Sequence, residues 1–135
     1  MRTHEMPLVL MADDDDDDCL LAKDAFAQSG AHGAIRCVED GMELMDNLFH
    51  SHPLPALILL DLNMPRKDGR QALKEIKSTP AFQRIPVVIL TTSKEKQDVS
   101  YTSELGANAF VTKPSNFGEW VRIMKILADQ WLPAE

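Results

Sequence analysis

Five short runs of apolar residues, separated by longer segments with helical periodicity, constrain the fold of this chain more than any other feature. Each run is apolar at successive positions, which predicts a strand that is buried on both faces. Strands of this kind belong to parallel sheets, whose crossover connections are helices. The predicted strands cover residues 8–12, 34–38, 56–60, 86–90 and 109–112.

A helical segment follows each predicted strand. In the last, from Phe117 to Trp131, apolar residues recur at i, i+3, i+4 and i+7. In the fourth, residues 95–105, only Val99, Thr102 and Leu105 share a face. Five parallel strands with right-handed crossovers favour the strand order 2-1-3-4-5 of flavodoxin-like α/β folds, with helices on both faces of the sheet.

The length and net charge of the chain limit the kind of protein it can be. The 135 residues fit one domain, 1–135, and we expect no attached output domain. The 14 Lys and Arg against 21 Asp and Glu give a net charge of −7, which argues against direct nucleic-acid binding.

The chain has no sequence signal for a membrane or for export. No apolar run approaches the roughly 20 residues of a membrane helix, and the first six residues lack the apolar segment of a signal peptide. Cys19 and Cys37 form no disulfide framework, which suits a reducing compartment, and Cys19 is interpreted as an inert packing residue. We therefore expect a cytoplasmic protein that does not contact membranes.

Polar residues follow four of the predicted strands. Asp13 and Asp14 follow the first, Asp61 the third, Thr91 the fourth and Lys113 the fifth. Ligands of doubly wound sheets bind outside the carboxyl ends of the strands, at the switch point in strand order. These five side chains are therefore predicted to meet at one edge of the sheet.

Charge suggests the chemistry of that edge. Two carboxylates about 4 Å apart repel by about 4 kcal/mol at an effective dielectric constant near 20, so Asp13, Asp14 and Asp61 need a counter-charge. Oxygen ligands with open coordination positions favour Mg²⁺, and Lys113 supplies a second cation. A carboxylate in this setting can accept a phosphoryl group. Asp61 is the candidate acceptor because it is single, central and followed by a proline-containing loop, which leaves Asp13 and Asp14 as the metal pair.

Four segments of the chain contain the polar residues named above. They are Met-Ala-Asp-Asp-Asp (11–15), Leu-Asp-Leu-Asn-Met-Pro (60–65) with Asp-Gly (68–69), Pro-Val-Val-Ile-Leu-Thr-Thr-Ser (86–93) and Phe-Val-Thr-Lys-Pro (110–114). They cover most of the chain, in order, and resemble the signature segments of the receiver domain of two-component response regulators. Within that family the chain is similar to the regulators that serve cyanobacterial-type phytochrome kinases.

The resemblance implies a phosphorelay function. A histidine kinase of the phytochrome-like type would transfer its phosphoryl group to Asp61. Mg²⁺ would be bound by Asp14, Asp61 and the backbone carbonyl of Asn63, and by Asp13 through water. The domain would not be an enzyme in the usual sense, but an acceptor that assists its own phosphorylation and dephosphorylation.

The resemblance also implies a switch. Thr91 would turn toward the phosphoryl group, and Phe110, in place of the commoner tyrosine, would turn inward. The output face would comprise helix four, strand five and helix five, and would bind an unknown downstream protein or a second copy of the chain as a homodimer.

Two rival functions start from the run Asp13 to Asp18. A divalent-cation module is one, because Asp13, Asp15 and Asp17 have the spacing of an EF-hand loop, but Asp18 stands where that loop needs glycine. A phosphatase with an aspartate nucleophile in an Asp-x-Asp motif is the other. Asp15 to Asp18 are otherwise interpreted as solvated residues that cap the following helix.

Overall fold

The computed structural model describes residues 6–50 and 53–133 of the chain. Within these ranges five strands alternate with five helices, as the sequence predicts. The elements are β1 (Leu8–Ala12), α1 (Asp16–Gln28), β2 (Ala34–Val38), α2 (Gly41–His50), β3 (Leu57–Leu60), α3 (Gly69–Ser78), β4 (Val87–Thr91), α4 (Lys96–Glu104), β5 (Ala109–Thr112) and α5 (Phe117–Trp131).

All strand pairs are parallel and the sheet order is β2-β1-β3-β4-β5, which confirms the predicted fold class. β3 and β4 begin one residue later than predicted, and β4 extends through Thr91. The residues before them still take part in the sheet. The amide of Ala56 donates to the carbonyl of Leu8 (2.8 Å), and the carbonyl of Pro86 accepts from the amide of Ile58 (2.9 Å).

The alternation of side chains along the strands divides the core into two layers. Odd-numbered residues of β1 and β3, such as Met11 and Leu59, pack with α1 and α5. Their even-numbered neighbours, such as Leu10 and Leu60, pack with α2 and α3. Because both faces of the central strands are covered, these strands carry no polar face. Within the described ranges no helix is long and apolar enough to cross a bilayer.

α4 is the least buried helix of the described chain. Thr102 is its buried residue, Leu105 at its end is half-buried, and Val99 is exposed, so the predicted apolar face is only partly correct. Phe117, which opens the periodic pattern of α5, is also exposed. An amphipathic pattern marks residues that can be buried, but packing decides which of them are.

The structure corrects the interpretation of the two cysteines. Cys19 in α1 and Cys37 in β2 form a disulfide, with their Cα atoms 6.5 Å apart. α1 lies over β2, so two residues 18 positions apart in sequence face each other. Their spacing matches no cysteine motif, so the pair could not be predicted from the sequence.

The loop between β3 and α3 is fixed at both ends. A Cβ atom at Gly69 would overlap the carbonyl oxygen of Asp61, and one at Gly41 would overlap the carbonyl oxygen of Lys67. In the middle of the loop Arg66 has a φ of 64°, a left-handed conformation that costs a non-glycine residue about 1–2 kcal/mol. The loop that follows Asp61 is therefore held in one conformation by close packing.

An ion pair stabilises the strained residue. The Nε and Nη2 atoms of Arg66 each lie 2.7 Å from Oδ2 of the buried Asp40. The other oxygen of Asp40 accepts from the amide of Glu43 in the first turn of α2. Burial raises the pKa of Asp40, but these contacts outweigh it and lower the pKa below its ordinary value.

Replacing Gly69 by alanine tests whether close packing holds the Asp61 backbone. We expect Gly69→Ala to lower the free energy of unfolding by about 1–3 kcal/mol because the methyl group must displace main-chain atoms. Gly118→Ala is the matched control, since a Cβ there meets only Oδ1 of Asn116 at an ordinary 3.5 Å. Urea unfolding of both variants measures the difference. A Gly69→Ala protein as stable as Gly118→Ala would contradict the packing argument.

Candidate functional site

Three carboxylates converge at the carboxyl edge of the sheet, as predicted. Asp13 and Asp14 follow β1, and Asp61 follows β3. One carboxylate oxygen from each lies within 4.8 Å of the others. Asp13 and Asp61 are 2% and 6% exposed, whereas Asp14 is open to solvent. We call Asp13, Asp14 and Asp61 the acidic triad.

The backbone of the site continues the hydrogen bonding of the sheet. The amide of Asp61 donates to the carbonyl of Ala12 (3.0 Å), and the amide of Lys113 donates to the carbonyl of Thr91 (2.8 Å). Residues just beyond the strand ends are therefore positioned as precisely as the strands. The sheet itself fixes the spacing of the charged groups.

Lys113 enters the site from β5 as its buried cation. Its side chain is 8% exposed, and its Nζ atom lies 2.8 Å from Oδ2 of Asp13 and 3.7 Å from Oδ2 of Asp61. Burial lowers the pKa of Lys113, but its contacts with Asp13 and Asp18 outweigh this effect and raise the pKa above its ordinary value. The ammonium therefore stays charged and partly compensates the triad.

Asp13 carries the largest electrostatic cost. The pKa of its carboxyl is raised to about 6, because burial and, to a smaller extent, the charge of Asp61 raise it by more than Lys113 and the amide of Asp15 lower it. Because three carboxylates face one lysine, the lysine does not fully compensate the triad.

The four aspartates that follow Asp14 in sequence, residues 15–18, are not all the solvated capping residues that the sequence predicts. Asp15 is the N-cap of α1, and its Oδ1 accepts from the amides of Asp17 (2.9 Å) and Asp18 (3.2 Å), which confirms its capping role. Asp16 and Asp17 are exposed. Asp18 is different, because its Oδ2 accepts a hydrogen bond of 2.7 Å from Nζ of Lys113. Interpreting it as a solvated capping residue was wrong: helix geometry turns this third residue of α1 back over the site.

Thr91 is completely buried at the end of β4, and the loop after it is tied to two helices. Its Oγ1 accepts weakly from the amide of Ser93 (3.4 Å). Oγ of Ser93 donates to Oδ2 of Asp98 in α4 (2.7 Å), and Arg70 of α3 donates to Oδ1 of the same carboxylate (2.8 Å). Thr91 is thus linked through one short chain of contacts to the start of α4.

Phe110 lies in β5 with its Cα atom paired to that of Ile89. It is half-buried, packs against the core layer of α2 and α3, and lines a cavity of 140 Å³ together with Val99 and Thr102 of α4. The aromatic ring is therefore placed between the core and α4. Its role as a switch stays a prediction.

Asn63 lies two residues after Asp61, in the loop between β3 and α3, and its side chain is exposed. The packing of Gly69 and the Arg66 ion pair fix the loop on which it lies. Its backbone carbonyl stays a predicted metal ligand.

The donor atoms of the triad fit a hard divalent cation. All three residues offer carboxylate oxygen, the ligand type that such ions prefer. Oδ2 of Asp13 is buried and, within the described residues, has no hydrogen-bond partner of good geometry, although Lys113 lies close to it. A buried carboxylate oxygen that is only ion-paired is available to a second cation or to a water bound to one.

The structure is incompatible with both rival hypotheses about Asp13 to Asp18, the calcium-binding loop and the phosphatase motif. An EF-hand loop starting at Asp13 would extend to Asp24, but α1 occupies most of that segment. In the Asp-x-Asp motif of the phosphatase hypothesis, Asp13 is buried against Lys113 and Asp15 is used as a helix cap. Asp13 and Asp15 are therefore not free to serve as ligands of a calcium loop or as the catalytic pair of a phosphatase.

Comparison with known proteins agrees with this geometry. Residues 9–125 match the model of the response regulator receiver domain family. The chain belongs to that family. It is 36% identical over 130 residues to the response regulator Rcp1 of Synechocystis, covering 93% of this chain and 88% of Rcp1.

Two solved structures are similar throughout. One is the phosphorylated cyanobacterial phytochrome response regulator RcpA, with a TM-score of 0.87, 38% identity and 95% coverage of both chains. The other is the Mn²⁺-bound form of Rcp1, with a TM-score of 0.84, 35% identity and 96% coverage of both chains. As a receiver domain, the chain is a phosphoacceptor of two-component signalling, and its acidic triad fits a divalent-cation site.

Replacing Asp13 by asparagine tests the cost of its buried charge. Burial in the folded protein raises the pKa of Asp13 from 3.8 to about 6, so the cost of its charge to folding is absent below the lower value and complete above the higher one. In metal-free buffer at about pH 8, Asp13→Asn should raise the free energy of unfolding by about 1–3 kcal/mol. This gain should shrink as the pH falls through 6.

The measurement is urea unfolding with a chelator at several pH values. Asp24→Asn is the control, because it removes the same charge from an exposed position of α1. The argument would be refuted if the wild-type protein were more stable than Asp13→Asn at about pH 8. It would also be refuted if the stability gained by Asp13→Asn grew toward acid pH.

Proposed function

We propose that the Asp61 carboxylate is the group that accepts the phosphoryl group, from a phosphohistidine of a histidine kinase. An Asp61 oxygen forms a bond to phosphorus while the phosphorus–nitrogen bond breaks. The electron pair of that bond stays on the histidine ring, which takes up a proton. The observation that carries this proposal is the convergence of three carboxylate oxygens within 4.8 Å beside a buried lysine.

The surrounding side chains have separate roles in the proposal. Lys113 contacts a phosphoryl oxygen with its ammonium group, which lies 3.7 Å from Asp61. The Thr91 hydroxyl donates a hydrogen bond to another phosphoryl oxygen. Fixed donors of this kind stabilise the charge of phosphoryl transfer without reorganisation during the reaction.

Mg²⁺ is the proposed cofactor. Asp14, Asp61 and the backbone carbonyl of Asn63 would hold it directly, and Asp13 through water. When bound, the ion neutralises charge on the triad and on phosphoryl oxygens. The exposed position of Asp14 leaves that side of the site open to solvent, as a cation that keeps several waters requires.

The same residues are proposed to assist loss of the phosphoryl group, so that the domain limits the lifetime of its own signal. Asn63 and Ser93 lie two residues after Asp61 and Thr91, at the rim of the site. In the unphosphorylated protein the Ser93 hydroxyl is engaged by Asp98, which keeps it directed toward α4.

The proposed phosphoryl donor is a phytochrome-like histidine kinase. The support is similarity over nearly the whole chain to RcpA, a cyanobacterial phytochrome response regulator, and to Rcp1. A cytoplasmic location is proposed from this partner alone, because the Cys19–Cys37 disulfide removes the argument from unpaired cysteines. The net charge of −7 supports a protein partner rather than nucleic acid.

The proposed output surface comprises α4, β5 and α5. Movement of Thr91 toward a phosphoryl group would disturb the contacts of Ser93 with Asp98, and Phe110 would turn toward the vacated space. The surface exposes apolar residues, Val99 on α4 and Ile126 on α5. It would bind an unidentified downstream protein or a second copy of the chain.

Replacing the acceptor tests the proposed chemistry. Incubation with acetyl phosphate and Mg²⁺ should add one phosphoryl group in a base-labile bond, detected by intact mass and on a phosphate-affinity gel. Asp61→Asn should abolish the adduct because the amide is a poor nucleophile. Asp17→Asn, which removes an exposed charge from the same edge, should retain it. An adduct that persists in Asp61→Asn, or that maps to Asp13 or Asp15, would favour a phosphatase-like site.

A charge on the output surface tests dimerisation. With acetyl phosphate the wild-type chain should shift toward a dimer in light scattering, and Val99→Glu should weaken that dimer at least about tenfold by placing a carboxylate in the apolar contact. Met42→Glu, a change of an exposed residue on α2, is the control. Equal dimerisation of wild type and Val99→Glu, with equal phosphorylation, would rule out this surface.

A further inference from the structure

Asp18 is a partner of Lys113 that lies outside the acidic triad. The Nζ atom of Lys113 lies 2.7 Å from Oδ2 of Asp18, 2.8 Å from Oδ2 of Asp13 and 3.7 Å from Oδ2 of Asp61. Within the described residues, the hydrogen bond to Asp18 is the shortest contact of this ammonium. A residue 95 positions away in sequence therefore shares the lysine with Asp13.

Asp18 is held rigidly. It is the third residue of α1, and its amide donates to the N-cap residue Asp15. The cap fixes the first turn, so the Asp18 side chain extends from a backbone that does not fray. Its side chain is only 21% exposed, whereas the preceding Asp16 and Asp17 face solvent.

The position of Lys113 has a consequence for Asp61. At 3.7 Å the ammonium is beyond hydrogen-bond distance of the Asp61 carboxylate, so it does not occupy the oxygen that has to attack phosphorus. It is still near enough to contact an oxygen of a group transferred to Asp61. Without Asp18, only Asp13, at 2.8 Å, would compete with Asp61 for the ammonium, which could then move closer to Asp61.

We propose that Asp18 is a positioning residue: it holds the Lys113 ammonium off the Asp61 carboxylate and thereby raises the rate at which Asp61 takes up a phosphoryl group. This inference rests on the proposed role of Asp61. Asp18 itself touches neither the reacting carboxylate nor the incoming group, and acts through the lysine.

The test compares Asp18→Ala and Asp18→Asn with Asp17→Ala and Asp17→Asn. The Asp17 changes remove the same charge from the neighbouring exposed position, so they report any general effect on an anionic donor. Thermal unfolding of each full-length variant checks that it is folded. The first measurement is the side-chain ammonium signal of Lys113 in the NMR spectrum of protein with isotope-labelled lysine, assigned from its loss in Lys113→Arg. The second is the initial rate of phosphorylation by acetyl phosphate with Mg²⁺.

We expect Asp18→Ala to shift or broaden the Lys113 signal and to lower the phosphorylation rate roughly ten- to a hundredfold, since a misplacement of about 1 Å can cost a hundredfold in rate. Asp18→Asn keeps a neutral acceptor and should have a smaller effect. Both Asp17 variants should match the wild type in both measurements.

An unchanged Lys113 signal in Asp18→Ala overturns the proposal whatever the rates are. A changed signal with an equal or higher phosphorylation rate also overturns it, because the contact would then hold Lys113 without assisting Asp61. Failure of the wild type itself to accept a phosphoryl group refutes the role of Asp61 instead, and the NMR comparison still decides whether Asp18 holds the lysine.

Discussion

Repulsion between carboxylates at one sheet edge is the constraint on which the site depends. The topology brings the ends of β1 and β3 side by side, and each end carries aspartate. One buried lysine faces three carboxylates and offsets only part of their charge, and burial adds to the cost by raising the pKa of Asp13. A site with this residual demand for positive charge attracts a cation and can use it when a phosphoryl group arrives.

Rigid packing keeps these charges together despite their repulsion. The central strands are buried on both faces and leave the site residues little freedom. The loop after Asp61 is confined by the Gly69 contact and by the Arg66–Asp40 pair. By contrast, α4 has a single buried residue and is tied to the site through Ser93 and Asp98. The same domain thus combines a fixed acceptor site with a lightly packed helix suited to respond to it.

Much of the fold and the triad was predictable because both follow from local pattern and topology. Runs apolar on both faces identify parallel strands, and polar residues at their ends identify the site. Features that depend on how separate elements pack were not predictable. The contact of Asp18 with Lys113 depends on where α1 starts, the Cys19–Cys37 bond on how α1 lies over β2, and the exposure of Val99 on how loosely α4 packs.

The most direct test of the central claim is anomalous X-ray diffraction from crystals of the chain grown with Mn²⁺, an ion that takes the same oxygen ligands as Mg²⁺. We predict a single strong peak at the triad, about 2.1–2.3 Å from carboxylate oxygens of both Asp14 and Asp61, with Asp13 close by. A density map with no manganese between these carboxylates at saturating Mn²⁺, or with manganese bound only to the exposed aspartates of α1, would contradict it.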